Sequence, residues 1–154
     1  LLEKAIEFEK LNKSRTYIVC DEDALNDNRF EMLGYFALSL KVLIVPDNMS
    51  VRARKELDGY RGKIHGKPIR EIPCFLIGQL AKNFNVIDNV ITGEQLITCA
   101  MAVIKSVQEQ IGGRYVMIEC HNIDKLINFY KQNGFFEFDK DDEFDMVQML
   151  MSIE

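Results

Sequence analysis

From Pro73 to Phe138 the chain reads PCFLIGQLAKNFNVIDNVITGEQLITCAMAVIKSVQEQIGGRYVMIECHNIDKLINFYKQNGFFEF, and this stretch decides the fold. Cys74 to Ala81 is apolar and short, with turn residues after it, and predicts a buried strand. Lys82 to Ile91 predicts a loop. Gly93 to Ile111 carries apolar residues at 96, 97, 100, 101, 104, 107 and 111, the 3.6-residue rhythm of an amphipathic helix. Thr92 and Gln95 have the spacing of a capping box at its start, and Gly112-Gly113 stops it. Arg114 to Cys120 predicts another strand. Ile123 to Gln132 predicts a second helix, with Ile123, Leu126, Ile127 and Tyr130 on one face and Asn133-Gly134 at its end. Phe135 to Phe138 leads into an acidic turn, and Phe144 to Ile153 predicts a last strand. Strand, helix, strand, helix, strand implies a sheet with helices packed on it and a ligand near a strand's carboxyl end.

The first half is compatible with the same layer. Residues 1–13 predict a helix and Thr16 to Cys20 a strand. Asp21 to Arg29 predicts a turn or loop. Met32 to Val45 predicts a long buried strand that ends at Pro46. Residues 50–58 predict a short helix capped by Ser50, and 59–73 a loop.

Composition bounds the function. At 154 residues the chain has the size of one domain, with 47% hydrophobic and 28% charged residues. No apolar run approaches the roughly 18–20 residues that span a bilayer, so a cytoplasmic protein with no membrane partner is expected. The chain starts at Leu1 rather than Met, so residues are expected to be missing before it. Cys20, Cys74, Cys99 and Cys120 form no C-x-x-C pair and read as four small buried hydrophobes. With two histidines, His65 and His121, zinc spacing is absent and no metal is expected. The acidic run Glu137, Asp139, Asp141, Asp142, Glu143 and Asp145 lacks the EF-hand spacing and reads as a solvated turn. Net charge is −5, which argues against general nucleic-acid affinity. Yet Arg52 to Arg70 holds seven Lys/Arg against two Asp/Glu, a local surface for an anion.

Two places can carry chemistry. The helix start at Thr92-Gly93 has free backbone N–H groups and a positive dipole end, suited to a phosphate. Gly93 lets an anion come close to the backbone. Tyr130 is either a core residue with its hydroxyl satisfied or a proton donor facing a cleft.

Taken together, FLIGQLA, GEQLITCAMAVI, IGGRYVMIEC and LINFYKQNGF resemble the GNAT N-acetyltransferases, most closely the branch that includes tRNA-acetylating toxins. Leu80-Ala81 resembles the family's strand end, and Phe129-Tyr130 with Gly134-Phe135 its last helix and Gly-Phe. The resemblance implies a mixed α/β domain over 1–154, with a mostly antiparallel sheet flanked by helices. It implies acetyl-CoA as co-substrate and direct attack by a primary amine of a small molecule, peptide or aminoacyl-tRNA. It assigns Leu80 and Ala81 to the pantetheine arm and Asn89, Val90, Ile91, Thr92, Gly93 and Glu94 to the pyrophosphate. It makes Tyr130 the general acid, with Glu119, His121 or a water chain as base, and leaves a homodimer open. The loop departs from the family pattern. Asp88 stands where Gln or Arg is usual, and Ile91 where a glycine is. That departure supports the alternative of a non-catalytic GNAT-like binding module, or a partner protein that uses the fold as scaffold.

Overall fold

The computed structural model describes residues 2–153. Its core is a six-stranded sheet in the order β1-β2-β5-β6-β8-β7. The strands are β1 (Arg15–Cys20), β2 (Met32–Ile44), β5 (Glu71–Lys82), β6 (Tyr115–His121), β7 (Phe136–Asp141) and β8 (Met146–Ser152). Only β5 and β6 run parallel; every other neighbouring pair is antiparallel. Parallel strands need a long connection, and here it is α4 (Gly93–Ile111).

Alternation along the strands fills both faces. Val116, Ile118 and Cys120 of β6 join Ile97, Ala100 and Ile104 of α4 and Ile127 and Tyr130 of α5 (Asp124–Gln132). Tyr115 and Met117, pointing the other way, join Leu43, Cys74, Leu150 and Leu57 of α3 (Val51–Asp58). The helix α1 (Leu2–Lys10) packs against β1. Among the described residues no helix is long and apolar enough to cross a membrane, and no acid, His or Cys cluster could hold a metal ion.

Several segments differ from the sequence expectation. Asp21–Arg29 is not all loop, for α2 (Glu22–Asn26) forms there. Asp21 caps it by accepting the Ala24 N–H at 2.7 Å. The acidic first turn that looked like loop chemistry is what a helix N-terminus favours. The loop 59–73 contains a two-strand hairpin, β3 (Lys63–Ile64) and β4 (Lys67–Pro68), turning through His65 and Gly66 at positive φ. Asp139 to Asp141, expected as part of an acidic turn, belong instead to strand β7, and the turn is confined to the residues between Asp141 and Met146. Along its second half β2 is buried on one face only: Leu43 is fully buried, while Leu40, Val42 and Ile44 are 70, 48 and 61% exposed. Cys74 and Cys120 are buried, but Cys20 and Cys99 are partly exposed; all four are free thiols.

Arg54 is 3% exposed and has no carboxylate partner among the described residues. Its guanidinium donates instead to four backbone carbonyls, those of Met49, Pro46, Asp47 and Ile69. A rigid five-donor fork can satisfy that many acceptors at once. It thereby holds the start of the basic segment 52–70 to the ends of β2 and β4.

Candidate active site

The site begins where two strands part. β5 and β6 share only two paired positions, Phe75 with Val116 and Leu76 with Met117. Beyond them β5 stays paired with β2 as far as Lys82, and β6 stays paired with β8 as far as His121. The two strands therefore diverge while each keeps its outer neighbour. A bulge marks the point of divergence. Leu38 lies opposite Ile77 and Ala37 opposite Gln79, so Gly78 is an extra residue on β5. Bulges bend a strand and add local twist. A side chain at Gly78 would meet only Leu76, at 3.7 Å or more, so the sheet face over this residue is open. The β6-facing edge of β5 past Gly78, including half-buried Leu80 and Ala81, is without a strand partner.

The loop that follows β5 is tied down by one side chain. Asn89 Nδ2 donates to the carbonyls of Leu33 and Asn83, both at 2.8 Å. Its Oδ1 accepts the Ile91 N–H at 3.1 Å, and its own carbonyl accepts from Lys82 Nζ at 2.6 Å. Asn83 Nδ2 adds a bond to the Met32 carbonyl. Loop 83–92 is thus fastened to the start of β2. Ile91 is buried and points inward.

At the helix start the expected capping box is complete. The Thr92 hydroxyl accepts the Gln95 N–H at 3.2 Å, and Gln95 Oε1 accepts the Thr92 N–H at 2.8 Å. These bonds use donors that were expected to meet a pyrophosphate. With Ile91 N–H held by Asn89, the unengaged N–H groups at the start of α4 are those of Gly93 and Glu94. The space beside Gly93 is not left open to an anion. A Cβ there would lie 2.7 Å from Phe129 Cζ, so the missing side chain makes room for that ring. Asp88, with φ +56°, and Glu94 are both exposed, so their charges are solvated.

Tyr130 lies in the apolar cluster that also contains Ile77 and Ile118, the residues next to the divergence. Its ring meets Phe129 and Phe135 edge-on, with centroids 5.2 and 5.8 Å away. Burial pushes the phenol above its ordinary 10.0, and the nearby Cys120 adds to this. The Cys120 thiol is itself raised, first by burial and then by Glu137. Tyr130 is therefore neutral at any physiological pH.

Neither suggested base stands free in the same way. Glu119 is paired with Lys41 at 2.5 Å and accepts from Gln148 Nε2 at 3.1 Å, so both carboxylate oxygens are engaged. His121 is exposed at the end of β6. Sequence patterns gave no signal for the Lys41–Glu119 pair, which bridges β2 and β6 across β5. The ring of Phe129 at Gly93 was equally silent.

The architecture matches solved structures. AtaTR bound with AcCoA superimposes with a TM-score of 0.68 at 22% identity, over 96% of this chain and 76% of that one. AtaT complexed with acetyl-methionyl-tRNAfMet gives 0.67 at 21% identity, over 96% and 76%. A Tyr-to-Phe mutant of KacT gives 0.66 at 20% identity, over 95% and 76%. The fold is the GNAT fold. No family model matches the sequence, and no curated protein matches it. At these identities the likeness concerns the fold: the mixed, mostly antiparallel sheet with helices on both sides, as the sequence led one to expect.

Proposed function

We propose that this protein is an N-acetyltransferase that moves an acetyl group from acetyl-CoA to a primary amine. The observation that carries this is the parting of β5 and β6 at Gly78, beside a helix start with two free N–H groups. An unpaired strand edge can accept an extended amide chain by adding hydrogen bonds, and Leu80 and Ala81 lie on that edge. The Gly93 and Glu94 N–H groups, with the dipole of α4 behind them, suit a diphosphate. They form a smaller cradle than Asn89 to Glu94 as a whole, since the Ile91 and Thr92 donors are already bonded.

Acetyl-CoA supplies an activated thioester carbonyl. An N–H on the free edge near Leu80 would polarise it. The amine nitrogen forms the new C–N bond as the C–S bond breaks and sulfur leaves as thiolate. Tyr130 gives its proton to that sulfur and recovers one, through water, from the ammonium formed on the product nitrogen. A phenol above 10 is a weaker acid than a free thiol near 8.5, which makes the transfer uphill by about 2 kcal/mol in water. Burial of the thiolate raises the thiol's pKa as well and narrows that gap.

The acceptor reading that gains most support is aminoacyl-tRNA. A neighbour of the same fold is described in complex with acetyl-methionyl-tRNAfMet, and the segment Arg52 to Arg70 offers a basic surface. That segment joins the end of β2 to the start of β5, the opposite end of β5 from loop 83–92. An acceptor as large as a tRNA could touch both. A non-catalytic binding module is the second reading, favoured by Asp88 and Glu94 beside the proposed phosphate site.

Thiol release from acetyl-CoA, followed with aminoacyl-tRNA, a lysine peptide and a small diamine in turn, tests the proposal. Release with aminoacyl-tRNA that weakens steeply with salt is expected. Acetyl-CoA binding without release on any acceptor would favour the binding module.

A further inference from the structure

The six-stranded sheet falls into two halves, β1-β2-β5 and β6-β8-β7, and little backbone joins them. They meet at the two paired positions of β5 and β6, Phe75 with Val116 and Leu76 with Met117. Every other strand pairing of this sheet lies within one half. Among the described residues, a single side-chain hydrogen bond or ion pair links a strand of one half to a strand of the other. It is the pair of Lys41 Nζ with Glu119 Oε2 at 2.5 Å.

Strand alternation sets the place of this pair. Lys41 shares a face of β2 with Leu43, and Glu119 shares a face of β6 with Tyr115 and Met117; these three belong to the core that α3 covers. The pair therefore lies on the face opposite α4 and α5. Glu119 is two residues past Met117, the last β6 residue paired to β5, so it is the first residue on that face beyond the divergence. Lys41 stands opposite Cys74, before the divergence. The lysine stem thus crosses β5 from the closed part of the sheet to the open part. On the far side, Glu119 Oε1 accepts from Gln148 Nε2 of β8 at 3.1 Å.

We propose that the Lys41–Glu119 pair sets the width of the cleft between β5 and β6, with Glu119 a positioning residue there rather than the base. This rests on the reading of that cleft as the acetyl-CoA site. Apolar packing also joins the halves, through Ile77 and Ile118 on one face and Cys74 and Met117 on the other. That attraction is non-directional, whereas a charge-assisted hydrogen bond has a defined length and direction. The two side chains are 37 and 30% exposed, and pairs this exposed add little to global stability. The consequence of this one is local, at the junction of the two halves.

The test uses the full chain as wild type, Lys41→Met, Glu119→Gln, and a charge-swapped variant with Lys41→Glu and Glu119→Lys. The swap keeps the combined length of the pair, and the Gln148 amide can turn its oxygen to the new ammonium. Amide hydrogen exchange without ligand reads local opening at Phe75, Leu76, Val116 and Met117. Both single variants should speed it by about fivefold, the most an exposed pair is worth. Their melting temperatures should stay within about 4 °C of wild type, and the swapped variant should return toward the wild-type exchange rate. With acetyl-CoA, both single variants should raise its KM by a similar factor and keep kcat and the shape of the pH profile. Unchanged exchange at the junction in the single variants, or no recovery on swapping, would overturn the proposal. So would loss of turnover in Glu119→Gln but not in Lys41→Met, which is the mark of a base. Wild-type protein that fails to bind acetyl-CoA would overturn the donor-site reading instead, and exchange at the junction would still decide the role of the pair.

Discussion

The ring of Phe129 fills the space that a side chain at Gly93 would need, with Cζ 2.7 Å from where the Cβ would stand. The helix start proposed to hold phosphate and the helix that carries Tyr130 are therefore in direct contact. Gly93→Ala should cost about 1–3 kcal/mol, the usual range for overpacking. Phe129→Leu in the same chain should restore part of it, measured by urea denaturation. Additive losses in the double variant would show that the two residues are not coupled.

Tyr130→Phe removes the hydroxyl and keeps the ring packing on Phe135. Turnover should fall by about 10²–10⁴-fold if the phenol is the acid, while acetyl-CoA affinity stays within about twofold. Because burial raises this phenol above 10.0, its protonated form is favoured in the fold. Its contribution to stability is complete below the ordinary value and is lost as pH rises through the higher one. No loss of activity from Tyr130 ionisation is expected below about pH 10. Unchanged turnover in the Phe variant would remove it from the acid role.

Replacing Arg54 should be among the most damaging changes outside the cleft. Arg54→Met leaves four carbonyls near a buried site without their donor, at a cost of at least about 2 kcal/mol. Arg54→Lys should recover little, since a single ammonium has three donors and no planar fork. Chemical denaturation of both variants checks this; wild-type stability in Arg54→Met would contradict it.

Thiol accessibility should divide the cysteines in pairs. Burial pushes Cys74 up to about 11, and a backbone bond near Leu43 only partly offsets it. The reactive species is the thiolate. Iodoacetamide at pH 8 should modify the partly exposed Cys20 and Cys99 well before Cys74 and Cys120, as read by peptide mass mapping.

The second half of the fold was legible because its signals are local. The long helix ran from Gly93 to Ile111 as its apolar rhythm required, and its capping box was readable from Thr92 and Gln95 alone. The first half was less so. Asp21 as a cap and Asp21 within a loop look alike until the following turn is seen to be helical. The exposure of Leu40, Val42 and Ile44 beside fully buried Leu43 depends on what the rest of the chain packs on each face, which no residue in β2 encodes. The site divides along the same line. The strand that carries Leu80 and Ala81 and the Thr92 cap could be placed from sequence. The partners that shape the site are distant in the chain: Asn89 with Leu33, Phe129 with Gly93, Lys41 with Glu119. Long-range side-chain contacts carry no periodic signature, so the bulge at Gly78 and the reduced N–H cradle emerged only in three dimensions.

The central claim is that the cleft between β5 and β6 holds acetyl-CoA, and the melting temperature with and without it tests that most directly. A ligand bound only by the native state at a hundred times its Kd adds about 2.7 kcal/mol, a rise of about 5–10 °C for a chain of this size. A rise that grows with acetyl-CoA concentration is predicted. An unchanged melting temperature at millimolar acetyl-CoA would contradict the account.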